Sequence, residues 1–107
     1  MKITYSTVLV LEALDRGYHY GFDILDATNL PSGTVYPILR RFEREGLVTS
    51  EWESGDIAQT EKRPPRRYYS LTPDGEKLLA ETAARYRAAD AIAPRHAGPL
   101  SVKPSRG

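Results

Sequence analysis

Four cationic side chains surround two prolines in the stretch "EKRPPRRYYSLT", residues 61–72. Such a cluster is suited to a polyanion, because local clustering of charge matters more for that kind of partner than net charge does. The two prolines should hold the loop extended and so reduce the chain entropy that is lost on binding. The stretch predicts contact with phosphates or a nucleic-acid groove through the cations Lys62, Arg63, Arg66 and Arg67.

A second group of arginines lies on a helix predicted for residues 32–45, with Ser32 as its N-cap and Gly46 after its end. Apolar residues recur there at the spacing of one buried face: Val35, Ile38, Leu39 and Phe42. The residues of the opposite face are Gly33, Pro37, Arg40 and Arg44, with Tyr36 and Arg41 on its flanks. The pattern therefore predicts a helix that is packed on one side and cationic on the other.

Two more helices precede this one. Residues 3–14 form an apolar helix that ends before Gly17, which can adopt the left-handed conformation found after helices. A short helix fits "YGFDILDAT", residues 20–28, and "NLP" then makes a tight break. The second and third helices are thus predicted to form a helix-turn-helix pair.

The pattern changes to that of strands after Gly46. "LVTSEWE" and "RRYYSLT" have alternating β-branched and aromatic residues and predict a hairpin, and "SGDIAQTEKRPP" between them predicts a long polar loop. Trp52 is expected to pack on the domain from the first strand. Tyr68 and Tyr69 alternate, so one should face the core and the other solvent or DNA, and the pattern does not say which. Thr72 and Pro73 form an N-cap and first-turn pair that begins the last helix.

These elements predict a mainly α protein with a small β-hairpin, arranged as a winged helix-turn-helix. In that fold the second helix of the pair enters the major groove of DNA and the hairpin, called the wing, lies on the adjacent backbone. The predicted divisions of the chain are residues 1–72 for this domain, 73–93 for a C-terminal dimerisation helix and 94–107 for a flexible tail.

Composition limits the classes of protein and compartment. The 107 residues have room for one domain. The absence of cysteine suits a reducing compartment, and the first helix is too short and too polar to cross a membrane. A cytoplasmic protein is therefore expected. Ten of the fifteen Lys and Arg residues lie in 51–107, which makes the charge uneven although the net charge is only +1. No pattern of nucleophile and base or phosphate-binding glycines is present, and His19 has no second ligand at a useful spacing. We therefore predict no enzyme, no metal site and no cofactor.

The chain resembles the PadR family of bacterial transcriptional regulators. The resemblance spans roughly residues 5–80 and depends on four stretches taken together: "YGFDIL", "LPSGTVYPILRRFEREGLV", "SEWE" and "RPPRRYYSLTPDG". The family pattern is close to "GTLYPLLRRLEEEGLI" followed by a "GPPRKYYRLTEEG"-like wing. Arg44 stands where that pattern is often acidic and Arg63 where glycine is frequent, and both differences add positive charge to the DNA side.

The resemblance implies a homodimeric repressor that binds a palindromic operator. The implied DNA-contact residues are Ser32, Thr34, Tyr36, Arg40, Arg41, Arg44, Lys62, Arg63, Arg66 and Arg67. The implied dimer contacts on the last helix are Leu78, Leu79, Ala83 and Tyr86. The implied partners are double-stranded DNA and a second copy of the chain, with no membrane partner.

Two alternatives remain open from the sequence. One is a ligand-gated regulator with a small-molecule effector at the dimer interface, although some family members bind such drugs with a tryptophan on the last helix, where this chain has none. The other is a winged-helix module that contacts proteins and never DNA, because the same fold serves both purposes. For the arginine-rich helix, the simplest alternative is a solvated face paired with Glu43 and Glu45.

Overall fold

A computed structural model describes residues 3–86, and of residues 83–86 only the backbone. The elements in chain order are α1 (Tyr5–Asp15), α2 (Gly21–Thr28), α3 (Ser32–Arg44), β1 (Val48–Trp52), α4 (Gly55–Thr60), β2 (Arg67–Leu71) and α5 (Pro73–Tyr86). This is the predicted mainly α fold with a two-stranded antiparallel hairpin, and its order matches a winged helix. The predicted tail, 94–107, and the end of the predicted dimerisation helix lie outside the described residues.

Helix α1 lies at the centre of the domain. Eight consecutive residues, 7–14, are buried, because apolar side chains occur on every side of this helix rather than on one stripe. Thr4 caps its start, accepting a hydrogen bond from the Thr7 amide while the Thr7 hydroxyl oxygen accepts one from the Thr4 amide. Helices α2, α3 and α5 each pack against α1.

The helix-turn-helix pair forms through local backbone signals. Asn29 ends α2 in the left-handed conformation, with φ at 59°. Helix α3 has Pro31 as its N-cap, one position earlier than the predicted cap Ser32, which is instead the first helical residue. The four predicted stripe residues of α3 are all buried, with Val35, Leu39 and Phe42 fully inaccessible and Ile38 at 6 % exposure. The stripe therefore fixes which face of α3 is turned outwards.

The hairpin pairs Val48 with Leu71 at its base and Trp52 with Arg67 next to the connecting loop. Tyr69 is the tyrosine that faces the core, and its amide donates to the His19 carbonyl at 2.9 Å while His19 Nδ1 donates to the Tyr69 carbonyl at 2.7 Å. His19 thus ties the segment before α2 to the hairpin. The burial of Tyr69, at 8 % exposure, decides which of Tyr68 and Tyr69 faces the core.

The tip of the wing contains a helix where the sequence predicts only loop. The Ser54 hydroxyl oxygen accepts a hydrogen bond from the Ile57 amide and caps the six-residue α4, whose Ala58 is buried. A helix this short has too few residues for an apolar period to be recognised. The loop prediction for residues 54–65 was therefore wrong for its first half.

Helix α5 begins as predicted, with the Thr72 hydroxyl oxygen accepting from the Gly75 amide at 3.1 Å. A Cβ on Gly75 would overlap the Leu47 carbonyl oxygen, so this turn of α5 packs directly on the backbone after α3. Leu79 is 7 % exposed and belongs to the hydrophobic core of the single chain. Little of the Leu79 side chain is therefore exposed in the single chain, whereas Leu78 is half-buried. The dimer contact expected of both residues stays a prediction.

Candidate nucleic-acid interface

The outward face of α3 carries the residues that its periodicity predicts. Gly33, Pro37, Arg40 and Arg44 are exposed, on the side opposite the buried stripe. Neither Arg40 nor Arg44 makes an ion pair within residues 3–86. Both guanidinium groups are therefore available to an external acceptor.

Residues at the flanks and the start of α3 are less exposed. Arg41 is half-buried, and its Nε has no hydrogen-bond partner among the described residues. Ser32 is exposed at the first turn and Thr34 is half-buried. Tyr36 packs so closely on α2 that a Cβ on Gly21 would overlap its hydroxyl group. Burial, and then the neighbouring Tyr20 and Tyr69, raise the pKa of Tyr36, so it stays a neutral hydrogen-bonding group.

A polar network joins α3 to the wing. The Ser50 hydroxyl donates to Glu43 Oε2 at 2.7 Å and accepts from Arg67 Nε at 3.0 Å and Nη2 at 2.8 Å. Arg67 Nη2 also lies 3.3 Å from both Glu43 carboxylate oxygens. Glu43, Ser50 and Arg67, named here the α3–wing clamp, therefore hold one edge of the Arg67 guanidinium.

An open hollow of about 490 Å³ lies beside this clamp. Its lining residues are Arg40, Glu43, Arg44, Arg67 and Tyr69. Three arginines against one glutamate leave this surface positively charged. The hollow is therefore a place where an anion would be stabilised.

The wing tip is closed by a second ion pair. Arg63 Nη1 donates to Glu53 Oε1 at 2.6 Å and Nη2 donates to Oε2 at 2.9 Å, while the Arg66 amide and the Tyr68 hydroxyl also donate to this carboxylate. The Arg63 hydrogen bonds are the main cause that lowers the pKa of Glu53 to about 2. Glu53 thus neutralises part of the charge of the basic loop.

The four cations of the wing therefore differ in what they contact. Arg63 is held by Glu53 and Arg67 by the α3–wing clamp, whereas the Arg66 guanidinium lies 4.3 Å from the centre of the Tyr20 ring. Lys62 is exposed, makes no ion pair among the described residues, and adopts φ of 58°. The sequence treats these four as equivalent phosphate ligands, and the geometry leaves Lys62 as the one with no internal partner in residues 3–86.

A helix-turn-helix with a cationic second helix, followed by a cationic hairpin, is the arrangement of DNA-binding winged helices. A family model described as "Transcriptional regulator PadR-like family" matches residues 10–81. The chain belongs to the PadR-like family of transcriptional regulators. This confirms the resemblance found in the sequence, and the family is one of transcriptional regulators, which are generally not enzymes.

Solved structures of PadR-like proteins resemble this fold. A PadR family regulator from Eggerthella lenta DSM 2243 is 32 % identical, with a TM-score of 0.61 over 76 % of this chain and 70 % of that one. A PadR family regulator from Clostridium difficile R20291 is 27 % identical, with a TM-score of 0.66 over 78 % of this chain and 88 % of that one. A PadR-like transcription factor from Bacteroides fragilis is 30 % identical, with a TM-score of 0.61 over 78 % and 82 %. No curated protein matches the chain at a significant level.

Residues 3–86 of this PadR-like chain contain neither a membrane-spanning helix nor a cluster of metal-binding side chains. None of the helices there combines the length and the apolar character that crossing a bilayer requires. The same residues contain no group of three or more His, Cys, Asp or Glu side chains placed to hold a metal ion.

Several residues of the interface were not recognised from the sequence. The sequence indicates Glu43 only as a partner of neighbouring arginines on its own helix, and it gives no signal that selects Ser50 or Glu53. Trp52 was expected to pack on the domain, but it is 63 % exposed, with the Arg67 guanidinium 5.4 Å from its ring centre. The position of Trp52 opposite Arg67 in the hairpin register is the signal that could have linked these two residues.

Proposed function

We propose that this PadR-like protein is a homodimeric repressor that binds a palindromic operator. Helix α3 enters the major groove, and the wing contacts the flanking backbone. The observation that carries the proposal is that Arg40 and Arg44 are exposed on α3, next to a cationic hairpin, and make no ion pair within residues 3–86. An arginine on that face can donate two hydrogen bonds to a guanine edge and so distinguish bases.

The other cations have sequence-independent roles in this proposal. Lys62 and Arg66 contact phosphates, which position the protein without reading bases. Arg63 acts indirectly, because its guanidinium is bound to Glu53 and shapes the wing tip. Ser32, Thr34, Tyr36 and Arg41 contact the backbone or base edges at the start and flanks of α3.

A second copy of the chain completes the operator-binding unit. Leu78, Ala83 and Tyr86 on α5 form the proposed dimer contact, and Leu79 supports α5 from inside the core. Two α3 helices related by a two-fold axis read half-sites about 10 base pairs apart, or a multiple of that distance. The bound sequence should therefore be an inverted repeat.

Selection of bound duplexes from a random DNA pool tests this function directly. We expect an inverted repeat, with binding that weakens steeply as salt increases because phosphate contacts release counterions. An unrepeated site or a direct repeat would contradict the symmetric dimer. Absence of any salt-dependent binding to DNA would favour the alternative of a protein-contact module.

Sedimentation tests the assembly independently of DNA. The wild-type protein should be a dimer at micromolar concentration, and Tyr86→Asp should give folded monomers that bind the operator more weakly. Leu79→Asp is expected to unfold the chain instead, because it places a charge in the core. A wild-type monomer at micromolar concentration would overturn the dimer.

A further inference from the structure

We propose that the hollow between α3 and β2 binds one DNA backbone phosphate, and that Glu43 and Ser50 are positioning residues that orient Arg67 towards this phosphate. This inference rests on the proposed function and specifies one contact within it.

The orientation of Arg67 is the first step. A guanidinium has five N–H donors in a planar fork. Ser50 and Glu43 accept from Nε and Nη2, whereas Nη1 donates no hydrogen bond to any residue that the structure describes. The clamp thus fixes the plane of the group and leaves one edge for an external acceptor.

The clamp contributes orientation more than stability. The Arg67 and Glu43 side chains are 38 % and 36 % exposed, and ion pairs as exposed as this one contribute little to folding. Packing restrains the guanidinium further, because it lies 5.4 Å from the ring centre of Trp52 and 5.9 Å from that of Tyr69. A donor that is already oriented loses less entropy when its ligand binds.

The chemistry of the hollow favours a phosphate over a base edge. Arg40, Arg44 and Arg67 all line the hollow, and the positive potential of the three guanidinium groups favours an ionised phosphate diester over an uncharged base edge. The position of Arg67 in the first residue pair of β2 also places this contact at the wing, where DNA-backbone contacts are made in this fold. Arg67 is the phosphate ligand, and Arg40 and Arg44 raise the local positive potential.

The test combines neutral phosphates in the operator with variants of Arg67. Each phosphate of the selected operator is replaced in turn by an uncharged methylphosphonate, and affinity is measured for the wild type, Arg67→Ala and Arg67→Lys. At one position per half-site, we expect the replacement to weaken wild-type binding about tenfold, as for a lost charged hydrogen bond. The same replacement should cost Arg67→Ala almost nothing, because the two changes remove the same contact.

Arg67→Lys separates orientation from charge. The lysine keeps the positive charge but cannot make the planar contacts of the clamp. Most of the tenfold effect of the methylphosphonate should therefore be lost, while the salt dependence of binding stays near that of the wild type. Binding by Arg67→Lys that equals the wild type, or the lack of any position coupled to Arg67, would overturn the proposal. If the wild type binds no DNA at all, the proposed function itself fails.

Glu43→Gln and Glu45→Gln form a matched pair for the positioning role. Both remove one negative charge from the end of α3, but only Glu43 contacts Arg67 among the described residues. Glu45→Gln should raise operator and random-DNA affinity slightly and should keep the tenfold effect of the methylphosphonate, whereas Glu43→Gln should lose most of that effect. An equal methylphosphonate effect in the two variants would contradict the role of Glu43, and circular dichroism melting of each checks that the domain stays folded.

Inorganic phosphate distinguishes DNA from the free anion as the ligand. The fluorescence of Trp52, the one tryptophan in the chain, should respond to added phosphate only at millimolar concentrations. Saturation at micromolar phosphate that Arg67→Lys abolishes would assign the hollow to the free anion and overturn the assignment to DNA.

Discussion

Arg63 and Glu53 lie on opposite sides of the wing and form a two-point ion pair, with Nη1 to Oε1 at 2.6 Å and Nη2 to Oε2 at 2.9 Å. The Glu53 side chain is only 6 % exposed. The same carboxylate accepts from the Arg66 amide, so it ties both ends of the proline-containing loop to the end of β1. The shape of the wing therefore depends on the ion pair with Glu53, which neutralises Arg63, one of the wing's own cations.

The substitutions Lys62→Ala and Arg63→Ala should therefore have different effects on DNA binding and on stability. Loss of Lys62 should flatten the plot of log affinity against log salt by about 0.9 for each phosphate contact removed, with stability unchanged. Loss of Arg63 should lower the thermal midpoint and change the salt slope less, because this guanidinium is bound to Glu53. Mobility-shift titrations at several salt concentrations, with melting curves for both variants, make the comparison. A larger change in salt slope for Arg63→Ala than for Lys62→Ala would indicate that Arg63 contacts the DNA directly.

The pKa of Glu53 predicts a loss of stability in acid. Its pKa is lowered from 4.5 to about 2, mainly by hydrogen bonds from Arg63, so the folded wing favours the ionised carboxylate. That stabilisation is complete above the unfolded pKa of 4.5 and is lost as pH falls from there towards 2. Thermal midpoints of the wild type should fall over this interval. Glu53→Gln should be less stable at neutral pH and should lack this component, and a parallel pH dependence in both proteins would refute the assignment.

The substitution Gly21→Ala should disturb the packing of α3 on α2. The new methyl group would overlap the Tyr36 hydroxyl, and overpacking of this kind costs about 1 to 3 kcal/mol. Gly33→Ala is the control on the exposed face, where a Cβ meets no atom within 4 Å, and it should be neutral or stabilising by up to about 1 kcal/mol. Denaturant unfolding measures both. Adding Tyr36→Phe to Gly21→Ala should recover part of the loss, and no recovery would mean that the overlap is not the cause.

Arg40→Ala and Arg44→Ala should reduce specificity more than general affinity. Each lost two-point contact to a base should cost about 1 to 3 kcal/mol on the operator, with a smaller loss on random DNA. Competition binding with operator and random duplexes gives the ratio for each variant. Equal losses on both DNAs would show that these arginines contact only phosphates.

Features that depend on neighbouring residues were predictable from the sequence alone. The buried stripe of α3 follows from helical periodicity, so its opposite face, with Arg40 and Arg44, could be identified without a structure. Gly17 and Gly46 have φ of 97° and 78°, as expected for glycines that follow helix ends. The Thr72 cap of α5 is likewise a local hydrogen bond. The winged helix-turn-helix could be inferred because each of its boundaries carries such a signal.

Contacts between distant residues were decided only by the tertiary structure. Glu43 meets Arg67 across 24 positions, and Glu53 meets Arg63 across ten, because the hairpin register and the packing of α3 on the wing bring them together. Leu79 could be placed on an apolar face from its spacing, but only the packing of α5 on α1 assigned that face to the core. Local rules act through backbone dihedral angles and periodicity, whereas the partner of a long charged side chain depends on three-dimensional distances. The sequence alone therefore determined that the interface is cationic, and the fold decided which cations remain available to DNA.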